Sequence, residues 1–267
     1  DNDGFCMPIQ KKPVPVPWTK KQRHQLHAMM ENPDGSPFLV DPRQALKNVV
    51  EKFHARGWYP VMATELEFYL MDGSAEELQR PKPPILDKSH GRRLNTSDAY
   101  SIEDVDGLED FFAEMRECCE IQGVMADTII SELGPGQFEM NLKHVKDPLN
   151  AADQAIWFKR MVKGISRKYD YSSTFMAKPY ADHSGSGFHV HFSLVDKDGN
   201  NLFDNGGDEG TDMLRMAIAG MIEIMPECML MFAPHLNSYH RFQDGSHAPV
   251  YACWGYENRT AAVRVPE

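Results

Sequence analysis

Four glutamates occur in two short motifs whose spacing could place carboxylates side by side. Glu65 and Glu67 are separated by one residue, and positions i and i+2 of a β-strand share a face. Glu132 and Glu139 flank the turn Gly134-Pro135-Gly136, which can direct both acids at one ion. Neighbouring carboxylates repel each other unless solvent, a proton or a cation relieves the repulsion. The alternatives are a solvated strand face for the first pair and an ordinary hairpin with two surface acids for the second.

Two histidines follow a glycine-rich turn. His189 and His191 come directly after Gly185-Ser186-Gly187, and their spacing places them on one face of a strand. A His-x-His pair of this kind suits a metal, or a metal together with a phosphate. The glycine turn indicates close approach of a ligand to the backbone. The alternative is a pair of half-buried structural histidines.

Three arginines near the end of the sequence, Arg241, Arg259 and Arg264, complete the set of candidate site residues. Arginine suits bidentate binding of carboxylate or phosphate, although any one of the three could equally form a surface ion pair. The sequence has no P-loop, no G-x-G-x-x-G turn and no G-x-S-x-G nucleophile elbow. Taken together, these residues indicate divalent metals that bridge nucleotide phosphates beside an acid substrate. Mg²⁺ or Mn²⁺ fits such carboxylate-rich ligands better than zinc does.

Composition limits the class of protein. The chain has 267 residues, a net charge of −11, 42% hydrophobic and 25% charged residues, which predicts one large folded domain or two small ones. The acidic balance argues against nucleic-acid and anionic-membrane partners. Five cysteines without a Cys-x-x-Cys argue against a disulfide scaffold and a thiolate zinc site, so a reducing, cytoplasmic location is expected. The most apolar stretch, 213–232, is interrupted by charges and does not predict a membrane span.

The elements that must position these residues follow from periodicity and from glycine and proline signals. The pattern is α+β, with paired strands and long helices between them. Extended chain is predicted at 13–17 and a long loop at 73–100. Strands are predicted at 59–71, 124–133, 137–142, 174–178, 188–194 and within 250–265, and helices from Asp41-Pro42 to Gly57, over 108–123, from Asp147-Pro148 onward and over 211–232.

The order of the motifs resembles the glutamine synthetase superfamily over the whole chain. The residues that support the resemblance are Glu65-x-Glu67, Glu132, Gly134-Pro135-Gly136-Gln137-x-Glu139, Lys178-Pro179, Gly185-Ser186-Gly187-x-His189-x-His191, Asn237-Ser238-Tyr239-x-Arg241 and Asn258-Arg259 with Arg264-x-Pro266. Residues 174–180 and 254–260 are similar to the γ-glutamylputrescine synthetase branch, whose members are glutamate–amine ligases.

The resemblance implies a fold and an assembly. It implies a catalytic domain at 41–267, built on a curved antiparallel sheet with flanking helices, and a remnant of an N-terminal β-grasp domain with its linker at 1–40. The chain begins without Met, and the family's further metal carboxylate and two arginines are expected past Glu267, so the sequence is expected to be part of a longer protein. Homo-oligomers of stacked rings, dodecamers by resemblance, are implied, with active sites between neighbouring subunits.

The resemblance also implies roles for the site residues. Glu67, Glu132 and Glu139 would hold one Mg²⁺ or Mn²⁺ ion, and Glu65 with His189 would hold another, with two or three ions in each site. His191 and Ser193 would contact ATP, Arg241 and Gly185 would bind glutamate, and Arg259 and Arg264 would bind phosphates and the phosphoryl group in transfer. In the implied reaction ATP phosphorylates the γ-carboxylate of glutamate, and a small amine then attacks the acyl phosphate.

Two departures from the family pattern bear on the substrate. Glutamine synthetases carry a flap glutamate six residues after the counterpart of Arg241, where this chain has His247, and Ser184 stands where they usually have Asn. A neutral or positive ring suits ammonium poorly, so an alkyl amine, polyamine or amino alcohol is the expected substrate. Three alternatives remain: a glutamine synthetase that uses ammonium, a catalytically inactive structural relative and a generic metal-binding α+β domain.

Overall fold

The computed structural model describes residues 4–73, 80–87, 92–94 and 99–266. Its helices are α1 (Pro42–His54), α2 (Ile102–Asp106), α3 (Glu109–Gln122), α4 (Pro148–Ser166), α5 (Asp212–Ile224) and α6 (Met229–Phe232), with short 3-10 turns at Arg167–Tyr169 and Leu236–Arg241. Its strands are β1 (Phe5–Pro8), β2 (Val14–Pro15), β3 (His24–Gln25), β4 (Ala28–Glu31), β5 (Tyr59–Asp72), β6 (Ile85–Asp87), β7 (Arg92–Arg93), β8 (Ala126–Ser131), β9 (Gln137–Leu142), β10 (Tyr171–Thr174), β11 (Phe188–Val195), β12 (Trp254–Tyr256) and β13 (Val263–Val265).

The long strand β5 organises the main sheet, which is antiparallel and five-stranded. β9 pairs with one edge of β5, and β8 pairs with the other edge of β9. The opposite edge of β5 is shared end to end, because β11 pairs with its first half and β10 with its last four residues. The loop between β10 and β11 is therefore held against the middle of β5, and it contains the glycine-rich turn.

The two faces of β5 have different roles. Leu66, Phe68 and Leu70 point to one face, where they are buried against β9, α3 and α4. The alternate residues point to the other face, so β5 separates a hydrophobic core from the side that bears Glu65 and Glu67. The core cluster includes Phe111, Phe112 and Met115 of α3, Phe138 and Met140 of β9, and Phe158, Met161 and Ile165 of α4.

The helices begin where local signals predict at Asp41 and Asp147, but α1 ends at His54, before the predicted end at Gly57. Asp41 and Asp147 cap α1 and α4, each accepting two backbone N–H hydrogen bonds ahead of a proline in the first turn. Gly123 ends α3 in the left-handed conformation. The predicted helix at 211–232 is wrong as one element, since α5 ends at Ile224 and α6 begins at Met229. Pro226 lacks an N–H and its ring cannot continue the helix.

Three further sequence predictions are corrected. The predicted strand at 174–178 lies upstream at Tyr171–Thr174. β11 occupies the edge of β5 from Tyr59 to Leu66, so β10 leaves the sheet after Thr174, which lies opposite Tyr69. The predicted loop at 73–100 contains the short strand pair β6–β7, and several of its residues lie outside the described part. The region 250–265 contains two strands, β12 and β13, which pair in parallel.

Residues 4–40 contain two small antiparallel strand pairs, β1–β4 and β2–β3, beside α4. The His27 ring packs on Trp157 with centroids 3.7 Å apart. Arg43 binds both carboxylate oxygens of Asp153 at 3.0 Å. The first contact holds the segment, and the second holds α1, against α4, the helix that covers the core. In the residues that the structure describes, no helix has the length and apolarity required to cross a membrane.

Candidate active site

The register of the sheet brings carboxylates together. Glu67 of β5 lies directly opposite Glu139 of β9, and Glu65 lies opposite Asn141. Directly opposed residues of an antiparallel pair share a face, so these side chains project to the side away from the core. Two like charges in opposed positions destabilise a sheet unless another group compensates for them. Glu132 is half-buried just past the end of β8, where its backbone N–H donates to the carbonyl of Gln137 at 2.9 Å. Its negative charge acts on Glu139.

Two histidines of the neighbouring strand complete a group that we name the carboxylate–histidine cluster: Glu65, Glu67, Glu132, Glu139, His189 and His191. His189 of β11 is paired with Glu65, and its Nδ1 lies 2.8 Å from Glu65 Oε2 and 3.8 Å from Glu139 Oε2. His191 Nε2 contacts the other oxygen of Glu65 at 2.9 Å. Glu65, Glu139 and His189 each offer one ligand atom, and these atoms all lie within 4.8 Å of one another. A single cation can therefore contact all three residues.

The electrostatics of the cluster favour a cation. Burial raises the pKa of Glu139 to about 8, and the negative charges of Glu65, Glu67 and Glu132 add to the effect. Burial also raises the pKa of Glu132, with Glu67 contributing. Hydrogen bonds from the two histidines lower the pKa of Glu65. A divalent ion would replace the proton on Glu139, so the donors present fit a Mg²⁺ or Mn²⁺ site.

The glycine turn packs between this cluster and Arg241. A Cβ atom at Gly187 would lie 2.8 Å from Glu67 Oε1, and one at Gly185 would lie 2.6 Å from the carbonyl of Ala177 and 2.8 Å from Arg241 Cγ. Only glycine fits these two positions without displacing a neighbour. The turn is also held by the Tyr69 hydroxyl, which donates to the carbonyl of Ser184 at 2.6 Å.

The Arg241 side chain lies beside the glycine turn. Burial lowers its pKa, while the charge of Glu67 acts in the opposite direction. Within the described part of the chain, the structure gives this guanidinium no hydrogen bond and no ion pair. The turn that bears Arg241 is anchored by Asn237, whose side chain exchanges two hydrogen bonds with the backbone of Lys178 at 2.7 and 2.9 Å. A fixed, half-buried and unpaired guanidinium is suited to binding an anion such as a carboxylate.

The remaining candidate residues are less closely gathered. Arg259 is exposed, but its charge acts to lower the pKa of both Glu132 and Glu139, and its Nη1 donates to the Tyr100 hydroxyl at 3.1 Å. Ser193 lies on β11 on the same face as the two histidines. Arg264 on β13 and His247 are exposed, and none of the hydrogen bonds or ion pairs found among the described residues links either one to the cluster.

Sequence reasoning missed three residues that support the site. Gln137 contacts Glu67, Asn141 donates to Glu65 at 3.3 Å, and Tyr100 contacts Arg259. Gln137 and Asn141 alternate with Glu139 along β9, so the i±2 rule that selected Glu65 and Glu67 would also have selected them. Tyr100 carries no such signal, because its contact with Arg259 spans 159 residues of sequence.

The raised pKa of Glu139 predicts a pH-dependent stability of the metal-free protein. Because this pKa lies above the ordinary value of 4.5, the folded state keeps a proton that the unfolded chain releases. That stabilisation is complete below about pH 4.5 and is lost as pH rises toward 8. With EDTA present, the free energy of unfolding of Glu139→Gln relative to wild type should therefore rise between about pH 5 and 8, by about 1 kcal/mol or more. Urea unfolding at each pH measures it.

The control for this measurement is Glu120→Gln, which removes an exposed carboxylate from α3. Its free energy of unfolding relative to wild type should stay constant over the same pH range. A constant difference for Glu139→Gln as well would show that Glu139 is ionised in the metal-free protein.

Comparison with known proteins gives consistent matches. The model of the glutamine synthetase catalytic domain matches residues 39–267. A γ-glutamylputrescine synthetase of Escherichia coli is 37% identical over 264 residues, which cover 99% of this chain and 56% of that protein. A glutamate–isopropylamine ligase of a Pseudomonas species is 34% identical, over 93% of this chain and 53% of the relative.

The fold matches as well. The solved structure of GmaS without ligand superposes with a TM-score of 0.83 at 28% identity, over 99% of this chain and 59% of that one. The chain thus spans about half the length of the curated relatives it matches. The domain match covers most of the sequence and includes every residue of the carboxylate–histidine cluster. The chain belongs to the glutamine synthetase family.

Proposed function

We propose that the protein containing this chain is an ATP-dependent ligase that joins an amine to the γ-carboxylate of glutamate through a γ-glutamyl phosphate. In this proposal residues 41–267 belong to its catalytic domain, and the protein works as a homo-oligomer of stacked rings. The observation that carries the proposal is the carboxylate–histidine cluster, which adjoins a glycine turn and the unpaired guanidinium of Arg241. Such a site can bind metals, phosphates and an acid together.

The proposed metal ligands are the residues of the cluster. Glu67, Glu132 and Glu139 would hold one Mg²⁺ or Mn²⁺ ion, and Glu65 with His189 would hold a second. The raised pKa of Glu139 supports this assignment, because a buried carboxylate among three others requires a compensating positive charge. When bound, the ions neutralise charge on the nucleotide phosphates and on the phosphoryl group in transfer.

The proposed acid substrate lies between Arg241 and the glycine turn. Arg241 would bind a carboxylate of glutamate with two parallel hydrogen bonds, and Gly185 would allow the substrate to approach the backbone. His191 and Ser193, farther along the same face of β11, would contact ATP, and Arg259 and Arg264 would bind its phosphates. Arg259 is the better supported of the two arginines, because its charge influences Glu132 and Glu139.

The two chemical steps balance without any other reactant. A γ-carboxylate oxygen of glutamate bonds to the γ-phosphorus of ATP as the bond to ADP breaks. The amine nitrogen then attacks the acyl carbon, phosphate leaves with the bonding electron pair, and the nitrogen releases a proton. His247, in the exposed turn that follows Arg241, is the proposed acceptor of that proton, since a neutral imidazole can act as a general base.

The amine is proposed to be an alkyl amine, a polyamine or an amino alcohol. Two relatives support this choice, because one is a γ-glutamylputrescine synthetase and the other a glutamate–isopropylamine ligase. Ammonium, a cation, is best bound and deprotonated by an anionic group, and His247 is not anionic. An alkyl group on the amine would also contribute binding free energy, because its apolar surface is buried on binding.

The test is phosphate release by the full-length gene product with glutamate, ATP, Mg²⁺ and a panel of amines that includes ammonium. The preferred amine should exceed ammonium in kcat/KM by about tenfold or more, and His247→Glu should shift that ratio toward ammonium by about tenfold. His54→Glu, which alters an exposed histidine at the end of α1, is the control and should leave the ratio unchanged. If ammonium has the highest kcat/KM in the wild type, the protein is a glutamine synthetase. If no amine gives phosphate release, the proposed activity is wrong.

A further inference from the structure

Gln137, the first residue of β9, links the carboxylate cluster to the glycine turn. Its side chain is only 1% exposed, and its amide makes three hydrogen bonds. Nε2 donates to Glu67 Oε2 at 2.9 Å and to the carbonyl of Gly185 at 3.1 Å. Oε1 accepts from the backbone N–H of Gly134 at 3.0 Å. From this arrangement we propose that Gln137 is a positioning residue that couples occupancy of the metal site to binding of glutamate by the glycine turn.

The chemistry of the three partners requires an amide. The partner of Oε1 is a donor, and both partners of Nε2 are acceptors, so the opposite orientation of the amide would place oxygen against two oxygens. A carboxylate at this position has no proton to give Glu67 or Gly185, and a thioether has none either. The position therefore needs one acceptor and two donors on a side chain of this length.

Glu67 contacts both ends of the glycine turn. Through Gln137 it reaches Gly185, while its own backbone N–H donates to the carbonyl of Gly187 at 3.2 Å. Its Oε1 lies against Gly187, where a Cβ atom would come within 2.8 Å. On the other side of the turn lies Arg241, packed against Gly185. The turn is thus held between a carboxylate of the metal cluster and the arginine proposed to bind substrate.

Through these contacts the position of the Glu67 carboxylate influences the site that is proposed to bind glutamate. When a cation orders the Glu67 carboxylate, the Nε2 hydrogen bonds of Gln137 order the carbonyl of Gly185 as well. Glutamate should then bind more tightly with metal present and, by linkage, metal should bind more tightly with glutamate present. Without the Gln137 amide, the two sites lose their shared hydrogen bonds and their mutual dependence should fall.

The inference rests on the proposed function, and it is tested by binding rather than turnover. Glutamate affinity of the full-length gene product is measured by calorimetry with and without Mn²⁺, in the absence of ATP. In the wild type Mn²⁺ should strengthen glutamate binding by about fivefold or more, and in Gln137→Met the strengthening should fall below about twofold. In turnover assays the same variant should raise the KM for glutamate about tenfold, because hydrogen bonds to charged groups have effects of this size.

A matched control separates this role from a structural one. Gln154 on α4 is 3% exposed and accepts the backbone N–H of Met125 at 2.6 Å, on the core side of the sheet. Gln154→Met should destabilise the fold but keep the Mn²⁺ dependence of glutamate binding. Gln137→Asn keeps a buried amide that is too short to reach both partners of Nε2, so it should also lose the coupling, and it decides the question if Gln137→Met does not fold.

The outcomes distinguish the inference from the proposed function. A wild type that shows the Mn²⁺ dependence, together with Gln137 variants that retain it, overturns the role of Gln137 and leaves the ligase proposal intact. A wild type that binds glutamate equally with and without Mn²⁺ also overturns the coupling. A wild type that binds neither Mn²⁺ nor glutamate contradicts the proposed function itself.

Discussion

If the full-length gene product has the proposed ligase activity, Glu65→Gln should lower its kcat/KM by about 10³-fold and remove one bound Mn²⁺ ion. Glu65 is the residue on which both histidines converge, with His189 at 2.8 Å and His191 at 2.9 Å. Glutamine has the same shape, but it removes the negative charge and turns an N–H toward one of the rings. Loss of a metal that stabilises transferring charge by several kcal/mol corresponds to a rate effect of this order.

Two measurements check this result, namely phosphate release under saturating Mg²⁺ and the number of Mn²⁺ ions bound in a titration followed by electron paramagnetic resonance. The matched control is Asp153→Asn. It removes the charge of a largely buried carboxylate on α4 that pairs with Arg43 of α1. It should cost stability and leave the Mn²⁺ count unchanged. If Glu65→Gln binds as many Mn²⁺ ions as the wild type, the carboxylate–histidine cluster is not the metal site.

Local sequence patterns are sufficient to predict which candidate site residues share a face of the same strand. The alternation along β5 fixes which residues share a face, so the sequence alone assigns Glu65 and Glu67 to one side and Leu66 and Phe68 to the other. His189 and His191 follow by the same rule on β11. These predictions succeed because strand periodicity is a property of consecutive residues.

The register between strands could not be predicted in this way. Nothing local specifies that Glu139 lies opposite Glu67, or that Gln137 reaches a carbonyl 48 residues away. Both depend on which edge of β5 each strand occupies, and that is decided by packing of the whole sheet. The misplaced strand at 174–178 has the same origin, since the sharing of one edge of β5 by β10 and β11 is invisible in the sequence of either strand.

The three arginines show a further limit of prediction from sequence. Arg241, Arg259 and Arg264 look alike as sequence signals, yet their surroundings differ greatly. Arg241 is half-buried beside the glycine turn, Arg259 is exposed but contacts Tyr100, and Arg264 is exposed on β13. Partial burial of a guanidinium costs hydration, and at Arg241 the negative charge of Glu67 offsets part of that cost. From this difference in burial we expect Arg241, rather than Arg259 or Arg264, to bind the substrate carboxylate.

Arg241→Lys should accordingly raise the KM for glutamate by about 10- to 100-fold while the KM for ATP changes less than about threefold. Lysine keeps the positive charge but loses the planar fork that donates two parallel hydrogen bonds to a carboxylate. Hydrogen bonds to charged groups are each worth about 1.5–3 kcal/mol, which sets the expected range. Steady-state kinetics with glutamate and ATP varied separately measures both constants.

The same substitution at another bidentate arginine provides the control for this prediction. Arg43 binds both oxygens of Asp153 at 3.0 Å on the core side of the sheet, so Arg43→Lys breaks an equivalent fork without touching the glycine turn. It should lower stability and leave both KM values unchanged. An unchanged KM for glutamate in Arg241→Lys would mean that the substrate carboxylate is bound elsewhere. A KM for ATP that rises as much as that for glutamate would instead assign Arg241 to the nucleotide, because a fork that binds only the acid substrate cannot weaken both.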